Sequence, residues 1–322
     1  MIARFLRLFE PFILALLGTV LLASLLPARG EAARWVEHLA TAGIVLLFFL
    51  HGAKLSREAI WLGARHWRLH LAVLATTFVL FPLLGVALST VMAGPVAAGM
   101  LFLTLLPSTV QSSIAFTAIA RGNVAASVCS ASFSNLAGIV VTPLLVALLM
   151  GSGGPGVSLS SVESIVLQLL VPFVAGHLAR PLVAGWLTRH KGLTGLVDRG
   201  SILLVVYAAF GAAVVEGLWR RVSPADLATV ALACSLLLAA VLIATKLAGR
   251  AMGLAREDAI VLLFCGSKKS LAAGVPMAGV LFPAAQVGIV LLPLMLFHQI
   301  QLIACAVIAR RYADGDGATP GV

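Results

Sequence analysis

Charge is what this sequence has least of. Only 11% of its 322 residues are Asp, Glu, Lys or Arg, against roughly 25% in soluble domains. Acidic residues are scarcer still, 12 against 22 Lys and Arg, and none lies in the middle of an apolar run. The four cysteines, Cys129, Cys234, Cys265 and Cys305, stand far apart with no CxxC spacing. They read as small buried hydrophobes rather than disulfide partners or metal ligands. Paired aspartates, HExxH and a serine elbow with a histidine partner are all missing, so no intramembrane hydrolase is indicated and no enzyme is expected. Nor is there a P-loop or GxGxxG, which leaves an ion or solute gradient, not a nucleotide, as the energy source. No cofactor is expected.

What the chain has is apolar length. Apolar residues make up 61% of it and its mean hydropathy is +1.09, which defines a polytopic membrane protein whose first partner is the lipid bilayer. The net charge of +10 is not a nucleic-acid signal. Its Lys and Arg residues punctuate the apolar runs instead of forming a patch with aromatics. Ten spans are predicted, at 11–27, 36–53, 69–89, 95–119, 123–150, 162–180, 199–217, 225–246, 259–282 and 285–308, each near the twenty or so residues a crossing helix needs. The first has no convincing cleavage site and is read as a helix, not a signal sequence. Even-numbered loops carry net positive charge (Lys54, Arg57, Arg65 and Arg68 against Glu58 in the second) and odd-numbered loops do not. Both termini are therefore expected in the cytoplasm, with the protein in a bacterial-type inner membrane.

The chain also repeats itself. Gly138-Ile-Val-Val-Thr-Pro143 in the fifth span echoes Gly288-Ile-Val-Leu-Leu-Pro293 in the tenth. Each is preceded by a span broken by polar residues: Pro107-Ser-Thr-Val-Gln-Ser-Ser113 in the fourth and Gly266-Ser-Lys-Lys-Ser270 in the ninth. Five spans is an odd number, so a second copy enters from the opposite side. The expected fold is all-α, with two inverted five-helix repeats (residues 1–150 and 151–310), a short tail at 311–322, and discontinuous helices 4 and 9. Inverted repeats with matched breaks point to a secondary transporter with its site at the midplane.

Those breaks hold the candidate site. Lys268 is the tenth residue of its span, roughly 15 Å in at 1.5 Å per residue, near the middle of a hydrocarbon core about 30 Å thick. A charge there costs at least about 2.5–3.5 kcal/mol on insertion scales. A lysine stem of about 6 Å cannot snorkel to an interface from that depth. Lacking an intramembrane carboxylate, Lys268 and Lys269 are expected to address helix C-terminal carbonyls or an anionic substrate. Adjacent helical residues point about 100° apart, so the two need not share a role. Pro107 removes a backbone donor, and the unwound stretch it opens survives only facing protein or water. Ser108, Thr109, Gln111, Ser112 and Ser113 are placed on the substrate or ion path with Ser267 and Ser270. Asn135 joins them as a buried amide that must find partners. Ser134, in a small-residue stripe, and the deep His298 and Gln299 are weaker candidates; His51 and His177 lie near span ends, where interfacial solvation suffices.

At Phe48-Phe-Leu-His-Gly-Ala-Lys-Leu-Ser-Arg-Glu58, Leu106-Pro-Ser-Thr-Val-Gln-Ser-Ser-Ile-Ala-Phe-Thr117, Ala120-Arg-Gly-Asn123 and Phe264-Cys-Gly-Ser-Lys-Lys-Ser-Leu271 the sequence resembles the bile acid:sodium symporter superfamily, solute carrier family 10. It is most similar to the branch of the seventh member and its bacterial relatives, the SBF-like branch. The resemblance covers essentially the whole chain. It implies a panel domain (spans 1, 2, 6 and 7) and a core domain (spans 3–5 and 8–10), with the broken helices crossing in the core near the ion sites. Sodium-coupled members have an acid near Phe264 and neutral amides where this chain has Lys268 and Lys269. Their fourth-span Ser-Asn pair is here Ser113-Ile114, their fifth-span hydroxyls fall near Ala131 and Asn135, and a third-span Gln becomes Thr77. A fixed ammonium supplies a sodium ion's charge with three donors, and repels a real one.

The function expected is alternating-access transport of a small organic anion, with sodium coupling weakened, altered or absent and the proton as the other candidate ion. The competing class is a non-transporting membrane regulator with the same fold. The absence of any long loop for a signalling domain favours transport.

Overall fold

The computed structural model describes residues 11–54, 66–92, 96–150 and 166–314. These are helices with short connections, and no strand occurs among the described residues. In chain order they are α1 Pro11–Leu25, α2 Glu31–Lys54, α3 Trp67–Val91, α4a Ala97–Leu105, α4b Gln111–Ile119, α5 Val124–Met150, α6 Val171–Arg189, α7 Lys191–Val215, α8 Pro224–Ala251, α9a Arg256–Gly266, α9b Leu271–Leu281 and α10 Ala284–Asp314. Eight stretches are long and apolar enough to cross a membrane, α9a–α9b counted as one; α1 is a shorter apolar helix. The α4a–α4b pair, nine residues each, is interrupted at 106–110.

The helices outrun the predicted spans at their charged ends. Hydropathy marks the lipid-length part of a helix, whereas the helix continues wherever its backbone bonds persist. The predicted sixth loop shows this most clearly. Residues 181–198 are helical apart from His190, which separates α6 from α7. Arg189 and Lys191 sit on helix ends, while Asp198 lies two turns into α7 and accepts a bond from Lys54. Local signals set other ends. Ser223 and Asp226 form a reciprocal capping box opening α8 just ahead of Pro224, as the Ser-Pro-Ala-Asp order dictates. Asn123 caps α5 by accepting from the Ala126 N–H at 3.0 Å. The N-terminal arm, most of the second loop, the third loop's 93–95, the start of the sixth span and the tail's 315–322 lie outside the described residues.

The chain divides into two compact units. The first contains residues 1–55, 158–222 and 275–289, built on α1, α2, α6 and α7 with most of α9b and the start of α10. Its tightest approach pairs Gly52 of α2 with Phe173, and Gly176 of α6 with Phe49. A Cβ at either glycine would stand 1.9 Å from the facing carbonyl oxygen, so small residues let the two backbones touch. The second contains residues 56–157, 223–274 and 290–322, and its interior holds both helix breaks. Pro107 packs on Gly138, where a Cβ would come within 2.7 Å of the proline ring.

Candidate functional site

A break in a buried helix orphans carbonyls, and here a run of five can be traced to its donors. Carbonyls 104 to 108 are each taken by a donor from elsewhere. Thr104 and Leu106 accept from Lys269 Nζ at 2.8 and 2.6 Å, and Leu105 from Thr142 Oγ1 at 2.8 Å. Pro107 accepts from the Ser270 N–H at 2.9 Å, and Ser108 from Asn135 Nδ2 at 2.7 Å. The Ser108 N–H, which in a continuous helix would serve Thr104, goes to Ser134 Oγ at 2.9 Å. The other break is closed from the first. Ser108 Oγ donates to the Cys265 carbonyl at 2.5 Å and Ser113 Oγ to the Phe264 carbonyl at 3.1 Å. Ser267 Oγ turns back to Leu263 at 2.5 Å, and Ser270 Oγ accepts from the Ala273 N–H at 3.1 Å, opening α9b. Each unwound segment supplies the other's missing partners, as a buried backbone requires.

Lys269 is the central tie. It is fully buried, its ammonium stands 4.1 Å from the Phe81 ring centroid, and its third acceptor is the Thr77 carbonyl at 2.8 Å. That carbonyl is free for a reason written in the sequence. Residues 76–80 of α3 form a π turn, so the Phe81 N–H bonds Thr76 and skips Thr77. The next residue along is Pro82, which has no N–H to give. The Thr77 hydroxyl itself bonds Val73 within its own helix at 2.8 Å; its backbone, not its side chain, joins the site. Three charge-assisted bonds at about 1.5–3 kcal/mol each offset an ammonium desolvation cost of several kcal/mol.

Lys268 is placed differently. It is also fully buried, yet among the described residues its Nζ has no hydrogen-bond partner. It faces the Phe116 and Phe264 rings, 4.3 and 5.4 Å from their centroids. Two cation–π contacts contribute about 2 kcal/mol each but leave all three ammonium donors without an acceptor. The sequence treated the two lysines as neighbours on a helix; residues 268–270 are non-helical, so they diverge more than helical geometry gives. One is saturated and one is open.

Other predicted residues divide clearly. Thr109 reaches Ser112 at 2.7 Å and Ser113 at 3.0 Å. Asn135 also bonds Ala131 within α5 at 3.1 Å. Gln111, the first residue of α4b, is exposed and stands outside the bonded set, as does half-buried Gln299. The glutamine that enters is Gln301, fully buried, which grips the Lys269 backbone at both its N–H (2.9 Å) and its carbonyl (3.0 Å) and touches His298 Nδ1 at 2.9 Å. Sequence reasoning missed it, though its i+3 spacing from His298 puts both on one helix face. Phe81, Phe116 and Phe264 were also missed, because a phenylalanine among apolar residues carries no signal. Among the described residues no three His, Cys, Asp or Glu group into a metal site.

Lipid-length helices around two interrupted segments that complete each other's backbone bonding define an integral membrane protein of the interrupted-helix type. The chain belongs to the SBF-like CPA transporter family, whose sequence profile matches residues 10–314. It is 56% identical over 309 residues to an uncharacterised protein of Pseudomonas aeruginosa, covering 94% of this chain and 93% of that one. YfeH of Escherichia coli K12, whose name proposes a symporter, is 53% identical over 310 residues, 95% and 93% of the two chains. Sodium/bile acid cotransporter 7 of Danio rerio is 26% identical over 309 residues, 93% and 92% of the two. The resemblance drawn from the motifs therefore holds, and the family is one of transporters.

Proposed function

We propose that this protein is a secondary transporter that moves a small organic anion by alternating access, without a sodium ion in the place Lys269 fills. The observation that carries the proposal is the contrast between the two buried lysines. Lys269 saturates the carbonyls of the crossing, as a bound cation would. Lys268 keeps an ammonium with no acceptor, and an anion is the partner that would complete it. The hydroxyls of Ser108, Thr109, Ser112, Ser113, Ser267 and Ser270, with Asn135, lie around the same crossing.

The reading includes ten spans in two inverted repeats, with α1 and the α4a–α4b pair supplying the two beyond the eight long stretches. A panel of spans 1, 2, 6 and 7 rocks against a core of spans 3–5 and 8–10, and the division of the chain into two units supports it. Both termini face the cytoplasm of a bacterial inner membrane. The test is uptake of labelled mono- and dicarboxylates and sulfonates into proteoliposomes, in sodium and in choline buffers. Uptake of at least one anion, equal in both buffers and abolished by Lys268→Met, is expected. Strict sodium dependence, or uptake undiminished in the variant, refutes the reading.

A further inference from the structure

One polar contact at the crossing fixes more than a position. The Gln301 amide accepts from the Lys269 N–H with Oε1 and donates to the Lys269 carbonyl with Nε2. Those two bonds set the amide's orientation, because turning it over would set oxygen against oxygen and N–H against N–H. The same Nε2 lies 2.9 Å from His298 Nδ1, so that ring nitrogen must present a lone pair. The imidazole is then neutral, its proton on Nε2. A proton on Nδ1 would face the Gln301 donor head-on. It would find an alternative acceptor close by, since the Lys269 carbonyl lies within hydrogen-bonding reach of the ring.

We propose that His298 is a proton-operated latch on the crossing. Neutral, it keeps Gln301 bonded to the Lys269 backbone; protonated, it takes the Lys269 carbonyl for itself and expels Gln301. The inference rests on reading the crossing as the transport site, and there it names the proton as the coupled ion and His298 as the positioning residue through which it acts. His298 as a residue is partly rather than fully buried. The groups facing it within its unit are Lys268, whose ammonium is in electrostatic reach, and Lys269, with Cys305 two turns along the same helix. The described carboxylates of that unit, Asp226, Glu257, Asp258 and Asp314, all sit at helix ends. An anion at Lys268 would offset the repulsion between that ammonium and a charged His298, so anion and proton would bind together. Each would then raise the other's affinity by the same factor.

The test is hydrogen–deuterium exchange of the full chain in lipid nanodiscs at pH 8 and pH 3.5, corrected for intrinsic exchange, read on peptides covering 264–274 with α5 peptides as control. The wild type should lose about tenfold protection at 264–274 in acid while α5 keeps its own. His298→Asn places an amide oxygen where Nδ1 stands and cannot take a proton at that pH. It should hold protection at both pH values. Gln301→Leu should be unprotected at both. An acid loss equal in wild type and His298→Asn, or no acid loss in wild type, overturns the latch. Exchange needs no substrate, so failure of the anion-uptake test above would show separately from failure here.

Discussion

At the scale of single residues the central contrast is energetic. Lys269 and Lys268 are adjacent, equally buried and chemically identical, but only one has acceptors. Removing Lys269 strands three carbonyls, at about 1–3 kcal/mol for each buried group left unsatisfied. Lys269→Met should therefore lose about 3 kcal/mol or more, seen as a fall of several degrees in the melting midpoint of purified protein. Arginine should not restore it, since a planar fork does not fit three carbonyls converging on a point. Lys268→Met strands nothing and fills a similar volume, so its midpoint should stay within about 1 kcal/mol of wild type. Equal destabilisation by both substitutions would mean that Lys268 has an acceptor too. The lysines and the serine clusters were legible in the sequence because polarity is conspicuous inside apolar runs. What was not legible is which groups they meet. Their partners are mostly carbonyls, which every residue has, freed at Thr77 by a π turn and Pro82 that no hydropathy pattern marks.

At the scale of elements, two devices hold the molecule. One is the interlock of two breaks, in which Ser108 and Ser113 serve α9a while Lys269 and Ser270 serve α4a. Matched interruptions in the sequence gave its location, since a proline followed by hydroxyls must be satisfied by something outside its own helix. The other is the glycine contact between α2 and α6, which sequence reading passed over. Isolated glycines are ordinary in apolar helices, and only the approach of a second backbone shows which ones matter. Gly52→Ala would push a methyl carbon against the Phe173 carbonyl and should sharply reduce folded yield and melting midpoint. Gly185→Ala in α6 itself, where nothing lies within 4 Å of the added carbon, should change neither. Size-exclusion profiles and melting curves of the two variants check this side by side.

For the whole molecule, composition alone settles that the chain lives in a bilayer, and its polar interruptions point to where the chemistry is. Span ends were less visible, because a helix does not stop where hydrophobicity does. The proposed function divides the labour: Lys269 would do by covalent attachment what a bound cation does, and Lys268 would read the solute. The most direct test is a thermal-shift screen of purified protein against mono- and dicarboxylates and sulfonates in sodium-free buffer, with wild type and Lys268→Met in parallel. A ligand binding the folded state adds RT ln(1 + [L]/Kd), about 2.7 kcal/mol at a hundredfold excess over Kd. The account predicts that at least one organic anion raises the wild-type midpoint without sodium and leaves Lys268→Met unmoved. Stabilisation that appears only when sodium is added, or that survives intact in Lys268→Met, would contradict it.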